Sequence, residues 1–216
     1  MIRLELVPRG LGSRISGDRR DFLDVNRFAR DTSWLHGTMR LIATDGIGLM
    51  ALFLLAGWWL GRKAGSPRQV ALAVWAALAA LVAVGLGKPI TTTADEQRPF
   101  VVIPHILTLI HHASDPGFPS DHATAAGAVA AGLLFLSWRL GLLTTVVALI
   151  IAFSRVYVGV HFPQDVLAGL ALGAVTAVLG VFLLVPLITR VIAWLAHTPL
   201  APLVRAAPAE VPDAAH

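Results

Sequence analysis

The segment Ser-Arg-Val-Tyr-Val-Gly-Val-His-Phe-Pro-Gln-Asp, residues 154–165, places three reactive side chains between two long apolar stretches. These side chains are a cation, Arg155, an imidazole, His161, and a carboxylate, Asp165. Polar residues between two apolar spans lie at a membrane surface. The segment therefore predicts chemistry on an anionic group beside lipid, with the rest of the chain as its scaffold.

The composition indicates a membrane protein. The chain has 216 residues, of which 56% are hydrophobic and 14% charged, whereas soluble domains have about 25% charged residues. The absence of cysteine excludes disulfides, zinc–thiolate sites and a cysteine nucleophile. A net charge of +4 is modest. We expect membrane lipids as partners and no nucleic acid, and the oligomeric state stays open.

The N-terminal segment, residues 1–44, is charged throughout, with eight arginines and five acidic residues. Apolar residues recur in it at steps of three and four, which predicts an amphipathic helix lying at the membrane interface. A partly disordered tail over residues 1–20 is the alternative. The apolar stripe consists of Phe22, Val25, Phe28 or Ala29, Leu35, Met39 and Ile42.

Five apolar stretches follow, at about 47–60, 70–87, 123–138, 140–153 and 166–188. The second has about 18 residues, enough to cross a hydrocarbon core of about 30 Å. We predict an all-α integral membrane bundle of five to six transmembrane helices over residues 45–195. The Pro- and Ala-rich residues 196–216 are predicted to be a disordered tail.

Five crossings bring several polar residues to one membrane face. These are Lys88, Arg98, Ser120, His122, Arg155, His161 and Asp165. The opposite face carries Arg62, Lys63, Arg68, Arg139, Arg190 and Arg205. The positive-inside rule then predicts a multi-pass protein of the cell membrane with its site on the extracytoplasmic face, although the arginines of the N-terminal segment run against this.

Helix starts and cations together predict a phosphate site on that face. Ser120 is a good N-cap for the third span, and Pro163 suits the first turn of the fifth. Helix N-termini bind anions, and arginine offers two parallel hydrogen bonds to phosphate oxygens. Lys88, Arg98 and Arg155 would supply the positive charge.

The histidines predict the reaction. Asp165 follows His161 by four residues, so its carboxylate can orient the ring and leave the other ring nitrogen to attack phosphorus. Protonated His122 can give its proton to the leaving oxygen. The expected reaction is phosphoryl transfer through a phosphohistidine, without a metal or another cofactor. The alternative metal site, from His111, His112, His122, His161, Asp115 and Asp165, is disfavoured because three cations would repel a metal ion.

Three blocks resemble the signatures of the type-2 phosphatidic acid phosphatase superfamily. They are Arg98-Pro99, Pro119-Ser120-Asp121-His122, and Ser154-Arg155-x5-His161-x3-Asp165. The sequence from about Leu23 to Leu187 is similar to the bacterial undecaprenyl-diphosphate phosphatase branch of this superfamily. The resemblance implies a metal-independent phosphatase with His161 as nucleophile, Asp165 as orienting group and His122 as general acid. It also implies that Arg98, Ser120 and Arg155 hold phosphate.

Two residues depart from the usual blocks. Lys88 precedes Arg98 by ten positions, so it is either a phosphate ligand or only a helix-end cation. Asp121 stands where glycine is common, and a carboxylate beside phosphate must point away or carry a proton. Both remain candidate phosphate-binding residues. Residues 88–121 are expected to be an ordered cap over the site.

The resemblance implies hydrolysis of a polyprenyl (undecaprenyl) diphosphate to the monophosphate, which supports recycling of the carrier lipid for cell-wall synthesis. A phosphatidic acid or phosphatidylglycerophosphate phosphatase is the first alternative. A non-enzymatic lipid-phosphate carrier is the second, and it is disfavoured because binding alone would require only the cations.

Overall fold

The computed structural model describes residues 9–110 and 115–205, and for residues 9–17 it describes the backbone alone. Within these ranges every regular element is helical, so the all-α prediction is confirmed. The helices are α1 (Arg9–Asp31), α2 (His36–Lys63), α3 (Pro67–Ala94), α4 (Pro99–Val102), α5 (Asp121–Leu136), α6 (Trp138–Tyr157), α7 (Pro163–Leu183), α8 (Val185–Leu195) and α9 (Ala201–Val204). A single 3-10 turn, Ser33–Leu35, separates α1 from α2.

Four helices, α2, α3, α6 and α7, are long and apolar enough to cross a membrane. Helix α5 has only 16 residues, or about 24 Å, yet eleven of them are buried. It lies at the centre of the bundle, packed against α3, α6 and α7. The prediction of an integral membrane bundle is confirmed, with the predicted third span as its short central helix.

Glycines allow α5 and α7 to touch backbone to backbone. A Cβ atom on Gly173 of α7 would lie 2.0 Å from the carbonyl oxygen of Thr124 in α5. A Cβ atom on Gly127 of α5 would lie 2.6 Å from the carbonyl oxygen of Leu170 in α7. Small residues commonly permit such close helix packing in membranes. This contact fixes the relative height of the two helix starts that carry the site.

The predicted boundary at residue 44 falls inside α2, which begins at His36 and runs into the first span. The predicted apolar stripe is therefore divided between α1 and α2. On α1, Phe22 and Ala29 are fully buried, whereas Phe28 is 46% exposed. The alternative of Phe28 or Ala29 for the inner position is thus resolved in favour of Ala29.

The second span extends further than its apolar run. Helix α3 continues through Lys88 and Pro89 to Ala94, so the first residues of the predicted cap, 88–94, belong to this helix. A proline costs a helix one backbone hydrogen bond. Threonine hydroxyls bond back to the helix here: Thr91 donates to Gly87 and Thr93 to Pro89.

The last span ends earlier than predicted. Helix α7 ends at Leu183, and α8 begins at Val185, because Pro186 cannot continue the hydrogen-bond ladder of α7. Residues 196–205 belong to the predicted disordered tail, yet they form turns and α9. This segment packs on the bundle, where the Trp58 indole N–H donates to the Leu203 carbonyl at 3.1 Å. Residues 206–216 lie outside the described residues.

Candidate active site

A cavity of about 270 Å³ opens where α3 and α6 end and α5 and α7 begin. Six of the eight candidate residues line it: Lys88, Arg98, Asp121, His122, Arg155 and His161. The other two, Ser120 and Asp165, are buried beside it at 0% and 1% exposure. The residues that the sequence placed on one membrane face therefore meet at one site.

His161 and Asp165 form a buried pair at the start of α7. The His161 Nδ1 atom lies 3.4 Å from the Asp165 Oδ2 atom, which also accepts a hydrogen bond from the Phe162 N–H at 2.8 Å. Pro163 begins the helix and places Asp165 in its first turn. The other ring nitrogen, His161 Nε2, lies 3.2 Å from the Arg98 guanidinium. One ring nitrogen thus meets a carboxylate and the other a guanidinium.

Several contacts hold Arg98 in place, although it lies outside the helices, just before α4. It is 5% exposed. Its Nε donates to the Asp115 carbonyl at 3.0 Å, and its Nη1 donates to the Val160 carbonyl at 3.2 Å. Its Nη2 lies 3.3 Å from the Asp115 carboxylate. A guanidinium fixed on several sides loses little further entropy when it binds an anion.

Arg155 is anchored from a helix that the sequence did not connect with the site. Its Nη1 donates to the Ala43 carbonyl of α2 at 2.6 Å. Its Nε is buried and has no hydrogen-bond partner among the described residues. The side chain lines the cavity and is only 2% exposed. It retains donor capacity for an anion.

Ser120 is the N-cap residue of α5, but its hydroxyl does not cap the helix. Its Oγ is buried without a hydrogen-bond partner among the residues that the structure describes. Its backbone N–H donates to the Asp165 carbonyl at 3.0 Å and joins the starts of α5 and α7. The hydroxyl lies beside the cavity and not in its lining.

Lys88 and Asp121 face each other across the cavity mouth. The Lys88 Nζ lies 2.5 Å from the Asp121 Oδ2, and the two side chains are 59% and 43% exposed. The ammonium offsets the charge of the carboxylate that replaces the common glycine. The unusual position of Lys88 in the sequence therefore still brings it to the cavity, because α3 continues past it.

Gly117 is a site residue that sequence reasoning missed. Its N–H donates to the Glu96 carbonyl at 2.8 Å. A Cβ atom there would lie 3.1 Å from Arg98 Cγ, 3.6 Å from Asp165 Oδ2 and 3.7 Å from His161 Nδ1. The Gly117 backbone therefore packs against Arg98 and lies beside the His161–Asp165 pair. Its position among prolines indicated a turn but no partner.

Helix α1 also reaches the site, which the sequence did not indicate. The Asp18 carboxylate accepts the backbone N–H of Gln164, in the first turn of α7, at 3.0 Å. The Gln164 amide donates to the Glu96 carboxylate at 2.5 Å. The Phe22 ring meets the Phe162 ring edge-to-face with centroids 5.4 Å apart, a contact worth about 0.5–1.5 kcal/mol. Helix α1 thus braces the turn that carries His161 and Asp165.

The same helix holds part of the segment that the sequence predicts to cap the site. Asn26, which is 2% exposed, donates to the Leu107 carbonyl at 2.8 Å and accepts the Leu107 N–H at 3.1 Å. The Leu109 N–H donates to the Val158 carbonyl at 3.0 Å. These bonds hold the segment 103–110 against α1 and the end of α6. His111 and His112 lie outside the described residues.

No group of three or more metal-binding side chains occurs within residues 9–110 and 115–205. The cavity is instead lined by three cations, Lys88, Arg98 and Arg155. Such a lining suits an anion with several oxygens, for which arginine is the best protein ligand.

Comparisons with known proteins assign the chain to a family. The family model described as the PAP2 superfamily matches residues 70–189, which is more than half of the chain. The chain belongs to the PAP2 superfamily. The predicted family is confirmed, and with it the prediction of a hydrolase that acts on phosphate esters. All eight candidate residues fall inside the matched range, whereas α1 falls outside it.

Curated relatives indicate which members of the superfamily the chain resembles. The chain is 36% identical over 155 residues to the undecaprenyl-diphosphatase BcrC of Bacillus subtilis, covering 71% of this chain and 77% of that protein. It is also 36% identical over 155 residues to the putative undecaprenyl-diphosphatase YbjG of Escherichia coli, covering 70% and 74%. The crystal structure of Aquifex aeolicus LpxE aligns with a TM-score of 0.58 at 23% identity, over 74% of this chain and 94% of that one. The last likeness shows the shared fold.

The contact between α1 and α7 makes the stability of the protein depend on pH. Burial raises the pKa of Asp18 from 3.8 to about 6, the Gln164 N–H opposes the rise, and the charges of Asp165 and Asp21 add to it. Because the folded protein holds this proton more tightly, stability is lost as pH rises from about 4 to about 6. Two further charged residues lie near Asp18. They are Glu96, which contacts Gln164, and the neighbouring Arg19.

We predict that Asp18→Asn, which keeps an oxygen acceptor for Gln164, becomes more stable relative to wild type as pH rises. Between pH 4.5 and 7 the difference should grow by about 1 kcal/mol after allowance for solvent screening, or about 2–4 °C in Tm. Thermal unfolding in detergent at both pH values measures it. Asp31→Asn, at an exposed position of α1, is the control, and the same trend in both variants would contradict the prediction.

Proposed function

We propose that the chain hydrolyses a polyprenyl diphosphate, with undecaprenyl diphosphate as the best substrate, to the monophosphate and inorganic phosphate. The observation that carries the proposal is the orientation of His161, whose Nδ1 lies 3.4 Å from Asp165 while Nε2 faces Arg98. The names of the relatives from Bacillus subtilis and Escherichia coli support the choice of a lipid diphosphate.

In the proposed reaction, His161 Nε2 attacks the terminal phosphorus and forms a phosphohistidine. The bond from that phosphorus to the bridging oxygen breaks, and the bridging oxygen leaves with the electron pair as part of the lipid monophosphate. His122 gives this oxygen a proton. The Asp165 carboxylate orients the ring and stabilises the positive charge that the ring acquires.

The cations act on the phosphoryl group during transfer. Arg98 and Arg155 are buried, so their charges are screened little by water and are already fixed before substrate binds. Such preorganised donors typically contribute about 10²–10³-fold each to the rate. Water then attacks the phosphohistidine, with His122 now acting as base, and inorganic phosphate leaves.

We infer further that the product returns a carrier lipid to use in cell-wall synthesis, and that the site faces the extracytoplasmic side. The cations at the opposite end of the bundle support this orientation, since the positive-inside rule places them in the cytoplasm. Arg62 lies 4.7 Å from the Trp58 ring centre, and Lys63 lies 5.4 Å from that of Trp59. Aromatic rings with adjacent cations are typical of a membrane interface.

The orientation is testable with single cysteines, because the chain has none of its own. In intact cells, a membrane-impermeant maleimide should label Thr92→Cys, which is exposed near the site. It should not label Ala64→Cys, which is exposed at the opposite end of the bundle. Permeabilised cells, in which both positions should react, provide the control, and the reverse pattern in intact cells would contradict the orientation.

The activity is tested by phosphate release from undecaprenyl diphosphate in detergent with EDTA present. We expect release to continue under EDTA and His161→Ala to abolish it, with at least about a 10³-fold loss because the nucleophile is removed. His197→Ala, an exposed histidine at the other end of the bundle, is the matched control and should retain activity.

Kinetics on phosphatidic acid and phosphatidylglycerophosphate, measured in parallel, test the substrate class. The highest kcat/KM is expected on undecaprenyl diphosphate. A higher value on either glycerolipid would assign the chain to that substrate, whereas binding of all three without turnover would indicate a carrier.

A further inference from the structure

We propose that Lys88 binds the phosphate of the leaving group and thereby selects lipid diphosphates over lipid monophosphates. This inference rests on the proposed function, and it assigns Lys88 a different phosphate from the one that His161 attacks. The observations that carry it are the two depths at which cations line the cavity and the contact between Lys88 and Asp121.

Arg98, Arg155 and His161 form the cavity floor. Their exposed fractions are 5%, 2% and 3%, and each side chain is tied to the backbone or to Asp165. Within this layer the Arg98 guanidinium approaches His161 Nε2, the proposed nucleophilic atom, to 3.2 Å. The phosphoryl group under attack must therefore lie on the floor.

Lys88 and Asp121 form the cavity rim, with side chains 59% and 43% exposed. Thr91 lies one turn further along α3 and lines the same cavity, so Lys88 and Thr91 share the helix face that looks into the site. Because α3 continues past Lys88 to Ala94, this ammonium is carried on a rigid helix and not on a loop.

The direction of the reaction places the leaving group at the rim. In phosphoryl transfer the attacking and leaving atoms lie roughly in line. With His161 attacking from the floor, the leaving oxygen points towards the opening, where His122 follows Asp121 in α5. In a diphosphate this leaving group is itself a phosphate and meets Lys88. In a monophosphate it is an uncharged alcohol that offers Lys88 no anion.

Asp121 holds Lys88 in position between turnovers. With its Oδ2 2.5 Å from the Lys88 Nζ, it keeps the ammonium in place and neutralised before substrate arrives. After transfer, the same carboxylate competes with the lipid monophosphate for Lys88 and so favours product release. The replacement of the common glycine by Asp121 thus has a physical role at a site that binds two phosphates.

The test compares two substrates that differ by one phosphate group, farnesyl diphosphate and farnesyl phosphate. For Lys88→Gln, kcat/KM on the diphosphate should fall about 10- to 100-fold, the usual effect of losing one charge-assisted hydrogen bond. On the monophosphate it should change about twofold or less. Lys88→Arg should recover most of the loss. Lys63→Gln, at the opposite end of the bundle, should match wild type on both substrates.

Equal losses on the two substrates would place Lys88 with the floor cations and overturn the inference, as would an unchanged rate on the diphosphate. A second variant keeps the test decisive if Lys88→Gln is unstable: Asp121→Asn should strengthen inhibition by farnesyl phosphate severalfold, and unchanged inhibition would contradict the role of the rim. If wild type releases phosphate from neither compound, the proposed function itself fails.

Discussion

Direct contact between the backbones of α5 and α7 brings together the two helix starts that carry His122, His161 and Asp165. Gly173 has no Cβ to separate it from the Thr124 carbonyl, which would be 2.0 Å away from such an atom. The contact brings Ser120 within hydrogen-bond distance of the Asp165 carbonyl at the two helix starts. Once these starts are level, His161 and His122 face one cavity from neighbouring helices.

The charged side chains of the cavity lie in two layers. Deep in the bundle, Arg98 and Arg155 carry charge that backbone carbonyls of other elements hold in place. At the mouth, Lys88 is neutralised by Asp121. Uncompensated charge is expensive in a membrane. In the proposed reaction, substrate phosphate becomes an additional partner of these cations.

Much of the site follows from the sequence because its members lie in short blocks. The four-residue step from His161 to Asp165, with Pro163 between them, predicts a ring held by a carboxylate at a helix start, and the structure shows that geometry. Five alternating crossings predict that Lys88, Arg98 and Arg155 meet on one face, and they line one cavity.

Contacts between segments that are far apart in the chain could not be predicted from the sequence. Asp18 and Gln164 are separated by 146 residues, and no periodicity links them. Proline and threonines after Lys88 are typical of a loop, yet the threonine hydroxyls sustain α3 by bonding to carbonyls one turn back. Gly117 is indistinguishable in sequence from other turn glycines, although a Cβ atom at this position would crowd Arg98 Cγ at 3.1 Å.

The central claim is that His161 is the nucleophile. Its most direct test is acid-free rapid quenching of the enzyme during turnover of a lipid diphosphate, followed by mass spectrometry of the peptide that contains His161. We expect a phosphoryl group on His161 that appears within one turnover and is absent from His161→Ala. A phosphoryl group on another residue, or full turnover by His161→Ala, would contradict it.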